Sequence, residues 1–452
     1  MLSRRLLPTD WPRLEYYAHK IQRLTIQPES LGKHATVDKS FFIALATYRP
    51  VRNPFQNLQQ ITIFLTHSLA YESAPYMDIL LGPDISRVGI VVGPWASTSE
   101  LSHVSLLLPS VPRLCPNLQV LYVDSTLSNL VSNKLDFERA IFQNIYSIHN
   151  LRTLYLETLK TPDGMIGRIL HHLRSMTSLE TLHNLHIPTE AQSLDKPDLI
   201  LPPFGVVTLD HGFPKLRNLS LNIQDFNSAA LVMDSMHLPF LSLAFYLEGQ
   251  PSQPHSPGKL LQSLARNPHL PLSLSSILIC EDVKQPLVRD VNDAETPSIF
   301  QPLLALTNLR KLTLQLSGVE MLDNAWLNRA SKSFPQLQNL TLYGRDLKRK
   351  QITLAGYIPL LQNCPRLSEI SIATAYRAFD PSRALTTGLC NENLRRLDCS
   401  ESSIESPVAS IFRCLILMFP NLSHLFPPSN SPSEGWRSWT DLQRLVRDSQ
   451  EY

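Results

Sequence analysis

The chain has 452 residues, long enough for two or three ordinary domains or for one elongated array. Its 41 Lys and Arg stand against 39 Asp and Glu, a net charge of +2, so no strong field steers it toward nucleic acid or an anionic membrane. Hydrophobic residues make up 43% and charged residues 18%, a mix that buries a core and excludes general disorder, while 15 glycines leave little material for phosphate-cradling loops.

Taken in chain order, the first predicted element is a helix within TDWPRLEYYAHKI, capped by Thr9 and carrying Leu14, Tyr17, Ala18 and Ile21 on one face. With a first strand it occupies residues 1–26 and is expected to seal one end of a stack. One pattern then keeps returning: proline, a spacer and LxxLxL, as in CPNLQVLYVDS at 115–125, FPQLQNLTLYG at 334–344 and CPRLSEISIAT at 364–374. Clean copies fall at Leu118/Leu121/Val123, Leu151/Leu154/Leu156, Leu216/Leu219/Leu221, Leu309/Leu312/Leu314, Leu337/Leu340/Leu342, Leu367/Ile370/Ile372 and Leu394/Leu397/Cys399. Weaker copies start at Ile21, Leu58, Ile85, Leu179, Leu238, Leu274 and Leu422.

Several of the intervals leave room for a helix. Phe137, Ile141, Ile145 and Ile148 recur at helical spacing in LDFERAIFQNIYSI, and DGMIGRILHHLRSM, NAWLNRASKSF, LAGYIPLLQNC and VASIFRCLILMF fill the same place in other copies. The proline of FP or CP stops each helix, because the residue before proline avoids the helical region. Alternate strand side chains point to opposite faces, so motif positions four and six go inward with the helices and positions three, five and seven go outward. One unit cannot bury its own apolar edge, and stacking cures that. The expected fold is an α/β solenoid over 27–426, with a curved parallel sheet on the concave face and helices on the convex face. Its pattern breaks into loops between Pro188 and Pro214, Glu248 and Pro271, and Glu281 and Pro297, read as tolerated insertions or functional loops. Residues 427–452 are expected to form a loop and a capping helix, with Trp436, Trp439, Leu442 and Leu445 at near-helical spacing.

These motifs resemble the leucine-rich repeats of F-box and leucine-rich-repeat proteins, and LLPTDWPRLEYYAHKIQRLTI at 6–26 resembles the segment that follows the F-box in a fungal family of such proteins. The resemblance implies a substrate-recognition scaffold of a ubiquitin ligase. Only five residues precede the matching segment, so the F-box is expected to be absent, and a Skp-type adaptor is expected only for a longer form that carries it. The alternative is a stand-alone interaction protein with no ligase link. The asparagine ladder that would follow each strand is missing too, with Thr126, Leu159, Gln224 and Ser317 in that column, so less uniform turns are expected.

The outward strand positions form the candidate partner face: Tyr122, Asp124, Tyr155, Glu157, Lys311, Gln315, Tyr343 and Arg396. Tyr122 and Tyr155 should sit side by side, as should Asp124 and Glu157, and adjacent carboxylates suit a basic peptide. The other reading of the same residues is a solvated strand face. No GxSxG, GxGxxG, P-loop or HExxH is present, so no enzyme and no cofactor are expected. His171 and His172 diverge on a helix and His183 and His186 face opposite ways on a strand, so no metal is expected either. RDLKRK at 345–350 reads as a hydrated loop or a nuclear signal. Six cysteines without a CxxC pair read as reduced, mostly buried thiols of a cytoplasmic or nuclear protein. The opening MLSRRLL is too short an apolar stretch for export, and runs such as CLILMF fall far short of the ~18 residues of a spanning helix.

Overall fold

The computed structural model describes residues 8–26, 39–47, 55–65, 74–94, 98–127, 134–162, 165–188, 213–248, 256–282, 296–344, 351–377, 390–399, 402–428 and 435–449. The basic run at 345–350 lies outside them, as do residues 189–212, 249–255 and 283–295 of the three interruptions. Sixteen strands are described: β1 Arg23–Ile26, β2 Gln60–Leu65, β3 Arg87–Val92, β4 Val120–Ser125, β5 Thr153–Glu157, β6 Thr181–Ile187, β7 Asn218–Ile223, β8 Ser242–Glu248, β9 Ser276–Asp282, β10 Lys311–Gln315, β11 Asn339–Tyr343, β12 Glu369–Ile372, β13 Ala375–Tyr376, β14 Arg396–Asp398, β15 Ser403–Ile404 and β16 His424–Phe426. Fourteen of them follow one another in chain order in one sheet, and β13 pairs with β15 in a second, small one. A parallel sheet whose strands are neighbours in sequence order, most of them separated by helical returns among the described residues, is a leucine-rich-repeat α/β solenoid.

Thirteen of the motif copies coincide with these strands, twelve in the expected frame throughout; in the copy begun at Leu179 the sixth position, Asn184, stands at φ 59 and Leu185 is buried instead. The copy begun at Leu238 is two residues early: β8 turns Leu243 and Phe245 inward at 0% exposure, with Phe240 in the first position, while Leu241 stands in solvent. Phe240 takes the slot a leucine fills elsewhere, which a search for leucines overlooks.

The chain divides into two compact units, 1–203 with 211–221, and 204–210 with 222–452. In the first, Leu121, Val123, Leu154, Leu156 and Leu182 are buried beneath β4 to β6, and Phe137, Ile141 and Ile145 of helix Lys134–Ile145 are buried with them. The second repeats the arrangement with Leu312, Leu340, Ile370 and Leu397, backed by helices Asn324–Ser333, Ile358–Asn363 and Val408–Met418. Each such side chain taken out of water contributes roughly 1.5–3 kcal/mol.

The proline turns are alike in both units. Cys115, Phe334, Cys364 and Phe419, each before a proline, sit at φ −118 ψ 65, φ −118 ψ 62, φ −121 ψ 68 and φ −136 ψ 72, outside the helical region. Three residues on, the first leucine donates its N–H back to that carbonyl, at 3.1 Å in Leu118, Leu337, Leu367 and Leu422. Just before twelve of the described strands one backbone carbonyl accepts two N–H groups from the next repeat. Gln119 accepts from Arg152 at 2.7 Å and Thr153 at 3.0 Å, and Arg310 from Gln338 at 2.7 Å and Asn339 at 3.0 Å. An asparagine ladder exists here, on the opposite end of the strand from the column searched in sequence. Asn117, Asn150, Asn308, Asn393 and Asn421 donate to backbone carbonyls of the preceding repeat at 3.0, 3.2, 3.0, 2.8 and 2.9 Å.

Three terminal and loop expectations are corrected or sharpened. Helix Trp11–Ala18 is capped at Asp10 rather than Thr9, with no side-chain capping hydrogen bond and Pro12 in its first turn. Of its expected inner face Ala18 is buried, Leu14 and Ile21 are half-buried, and Tyr17 is 54% exposed. The interruption between Glu248 and Pro271 contains helix Gly258–Arg266, which buries Leu260, Leu261 and Leu264. At the other end, helix Gly435–Asp448 buries Trp439, Leu442 and Val446, and Trp439 meets Tyr376 edge-on at 5.3 Å.

Candidate recognition face

In the first unit, parallel register places Gly89, Tyr122, Tyr155 and His183 in one row on the outward face, and Val91, Asp124 and Glu157 in the next. The Tyr122 and Tyr155 rings lie 5.9 Å apart at 53°, and His183 stacks on Tyr155 at 4.5 Å and 6°. The expected Tyr–Tyr and Asp–Glu neighbours are therefore brought together, and the row continues one strand further than the sequence suggested. Burial holds His183 below the ordinary histidine range, so its ring is neutral and presents a π face at neutral pH.

The Tyr122 hydroxyl donates to Asp124 Oδ2 at 3.4 Å. Burial first, then the charges of Asp124 and Glu157, push that phenol up to about 12, which keeps it a donor. Thr158 ends β5 at φ 56 and braces the other side: its Oγ1 donates toward Asp124 Oδ1 at 2.9 Å and accepts the Ser125 N–H at 3.1 Å. Asp124 is thus fixed by neutral hydroxyls, and neither it nor Glu157 pairs with a basic side chain among the described residues. Two carboxylates on strands about 4.8 Å apart stay uncompensated beside an aromatic row. Gly89 continues the row past Tyr122 without a side chain; an added Cβ would stand 3.1 Å from Thr62 Cγ2. The arrangement suits a cation: a guanidinium or ammonium gains about 0.5–1 kcal/mol over an exposed ring, and more beside a carboxylate.

The outward positions of the second unit are bonded to one another. Tyr343 donates its hydroxyl to Asp398 Oδ2 at 2.6 Å and also meets Ser371 Oγ, while Gln315 Oε1 accepts from Cys280 Sγ at 3.1 Å. Thr313 and Ser371 are buried on this face, because neighbouring side chains lie over them. Arg396 reaches Glu369 at 3.6 Å and lies 5.3 Å from the Phe426 ring, and Asn339 donates to the same Glu369 at 2.7 Å. Of the four candidates here, Lys311 and Arg396 present their charges to solvent.

His186 and His172 serve the packing, while His171 is exposed. Thr161 donates its N–H to Nδ1 of buried His186 at 3.3 Å, and the His172 ring lies edge-on to Tyr146 at 5.1 Å. Among the described residues no group of three His, Cys, Asp or Glu is placed to hold a metal, and no helix is long and apolar enough to cross a membrane.

Among solved structures the chain is similar to an internalin of Listeria monocytogenes, with 15% identity, 93% of this chain and 89% of that chain covered, and a TM-score of 0.41. It is also similar to the Rad7 and Elc1 complex of yeast, with 13% identity, 94% and 92% covered, and a TM-score of 0.43. No family profile and no curated protein matches the chain.

Proposed function

We propose that the chain is a non-catalytic protein-recognition scaffold that holds a basic segment of a partner on the outward face of β4 to β6. The observation that carries this reading is the uncompensated pair Asp124 and Glu157 beside the Tyr122, Tyr155 and His183 rings. The rings offer rigid amphipathic area at low entropic cost, and the carboxylates select charge. The test separates the two contributions in affinity purification: Asp124→Asn with Glu157→Gln removes charge, and Tyr155→Ala removes the central ring. Each is expected to strip the native partner while the thermal melt stays within a few degrees; retention of the partner by both folded variants would sink the reading.

The finer assignment, a substrate receptor of a ubiquitin ligase, rests on the resemblance of residues 6–26 to the segment that follows an F-box. Co-purification with a tagged Skp-type adaptor distinguishes it from a stand-alone scaffold in the cytoplasm or nucleus. Failure to bring down the adaptor favours the stand-alone form.

A further inference from the structure

A second surface, of opposite sign, lies along the edge of the second unit where β10, β11, β12 and β14 begin. Arg310 and Lys311 enter β10, Arg366 stands in the turn before β12, and Arg395 and Arg396 enter β14, and all five are exposed. Register sets Lys311, Asn339, Glu369 and Arg396 side by side on adjacent strands. Against the five basic groups stand two carboxylates: Glu369, already engaged by Arg396 and Asn339, and the exposed Glu392. Arg395 leans weakly on the Asn421 carbonyl at 3.4 Å, whereas Arg310, Lys311 and Arg366 have no carboxylate partner among the described residues. Between them Gln338, Arg366, Ser368 and Asn393 line an open polar groove.

We propose that this rim binds an acidic, extended peptide segment of a partner protein, with Arg310, Lys311 and Arg366 as its principal contacts. The spacing fits such a ligand. From β10 to β14 is three strand steps of about 4.8 Å, and an extended peptide rises about 3.3 Å per residue, so four residues cross the rim. Carboxylates at either end of that stretch reach Arg310 and Lys311 on one side and Arg395 on the other, with Arg366 between. The Gln338 side-chain amide, unbonded among the described residues, and the neighbouring Ser368 hydroxyl face the groove where a peptide backbone would pass. Exposed guanidinium forks engage carboxylates in a bidentate manner, and the attraction is screened within about 8 Å at physiological salt.

The experiment is fluorescence anisotropy on the full chain with a labelled decapeptide of alternating Glu and Ser and its Gln counterpart. The Glu peptide is expected to bind at least tenfold tighter than the Gln peptide, to weaken as salt rises, and to lose at least tenfold on the triple variant Arg310→Glu, Lys311→Glu, Arg366→Glu. These side chains are exposed, so the variant should melt with the wild type, and Tyr155→Ala in the first unit should leave the Glu peptide's affinity unchanged. Equal binding of the two peptides, or an unaffected triple variant, overturns the proposal. Tighter binding of a single-stranded oligonucleotide of equal charge, lost in the same triple variant, also overturns it and makes the rim a nucleic-acid surface.

Discussion

His186 gives the fold a measurable sensitivity to acid. Its ring is buried, with Nδ1 accepting the Thr161 N–H at 3.3 Å, which requires a lone pair there and places the single ring proton on Nε2. The Thr161 hydroxyl donates to the His186 carbonyl at 2.6 Å and holds the residue in place. Burial, and then the charges of Lys160 and Lys134, lower the imidazole to about 4, against an ordinary 6.5. Between these values the unfolded chain binds a proton that the folded chain refuses, so stability rises with pH through the window and is lost as pH falls from 6.5 toward 4. At about 1.4 kcal/mol per unit, the full window contributes about 3 kcal/mol. Urea unfolding of wild type and His186→Gln at several pH values measures this. The difference between the two curves removes the smaller, like-signed contributions of His172 and His183 and the opposite one of buried Glu138, whose carboxyl is raised chiefly by burial. The variant is expected to flatten the acid limb by about 2–3 kcal/mol between pH 6.5 and 4.5. Parallel curves would refute a neutral, buried imidazole at this position.

Two further outcomes follow from the packing. Leu340 is 1% exposed and is flanked in register by Leu312 and Ile370, so Leu340→Ala leaves a cavity that neighbouring repeats cannot fill; about 3 kcal/mol is expected in chemical denaturation, against under about 0.5 kcal/mol for outward Thr341→Ala. Equal losses for the two would reverse the assignment of inner and outer faces. Thiol labelling with a disulfide reagent at pH 8 should modify exposed Cys390 quickly and half-buried Cys280 slowly. Cys115 and Cys364, pushed up by burial to about 11 and about 12, should stay silent with Cys399 and Cys414 until denaturant is added. Fast reaction of any of these four in the folded protein would contradict their burial.

The ladder was legible because its signal is periodic: an inward leucine must recur wherever a strand meets its helix, so even weak copies such as those at Leu58 and Ile85 marked true strands. Where a different residue does the same work, the pattern misleads. Phe240 in the first position of the motif that leads into β8 shifted the frame by two, and the apolar stripe of helix Gly258–Arg266 was hidden behind a flank rich in Pro and Ser. Alternation assigns a face without telling how deeply neighbours cover it, hence the unforeseen burial of Ser220, Thr313 and Ser371. At the candidate site the Tyr and acid neighbours follow from register alone. Thr158 did not, since a β-branched residue at φ 56 is a conformation that composition gives no reason to expect. His183 sat in the right column of the copy at Leu179, and its stacking on Tyr155 depended on geometry no motif encodes.

The carbonyl that receives two N–H groups at the start of most strands has an evolutionary corollary. Because this particular link is made by main chain, the identity of the side chain at these positions does not decide it; Gln119, Arg152, Glu180 and Arg310 all supply the same carbonyl. A lineage of such proteins can therefore exchange the chemistry of its exposed border one codon at a time, acquiring new ligands while the leucine scaffold beneath stays as it was.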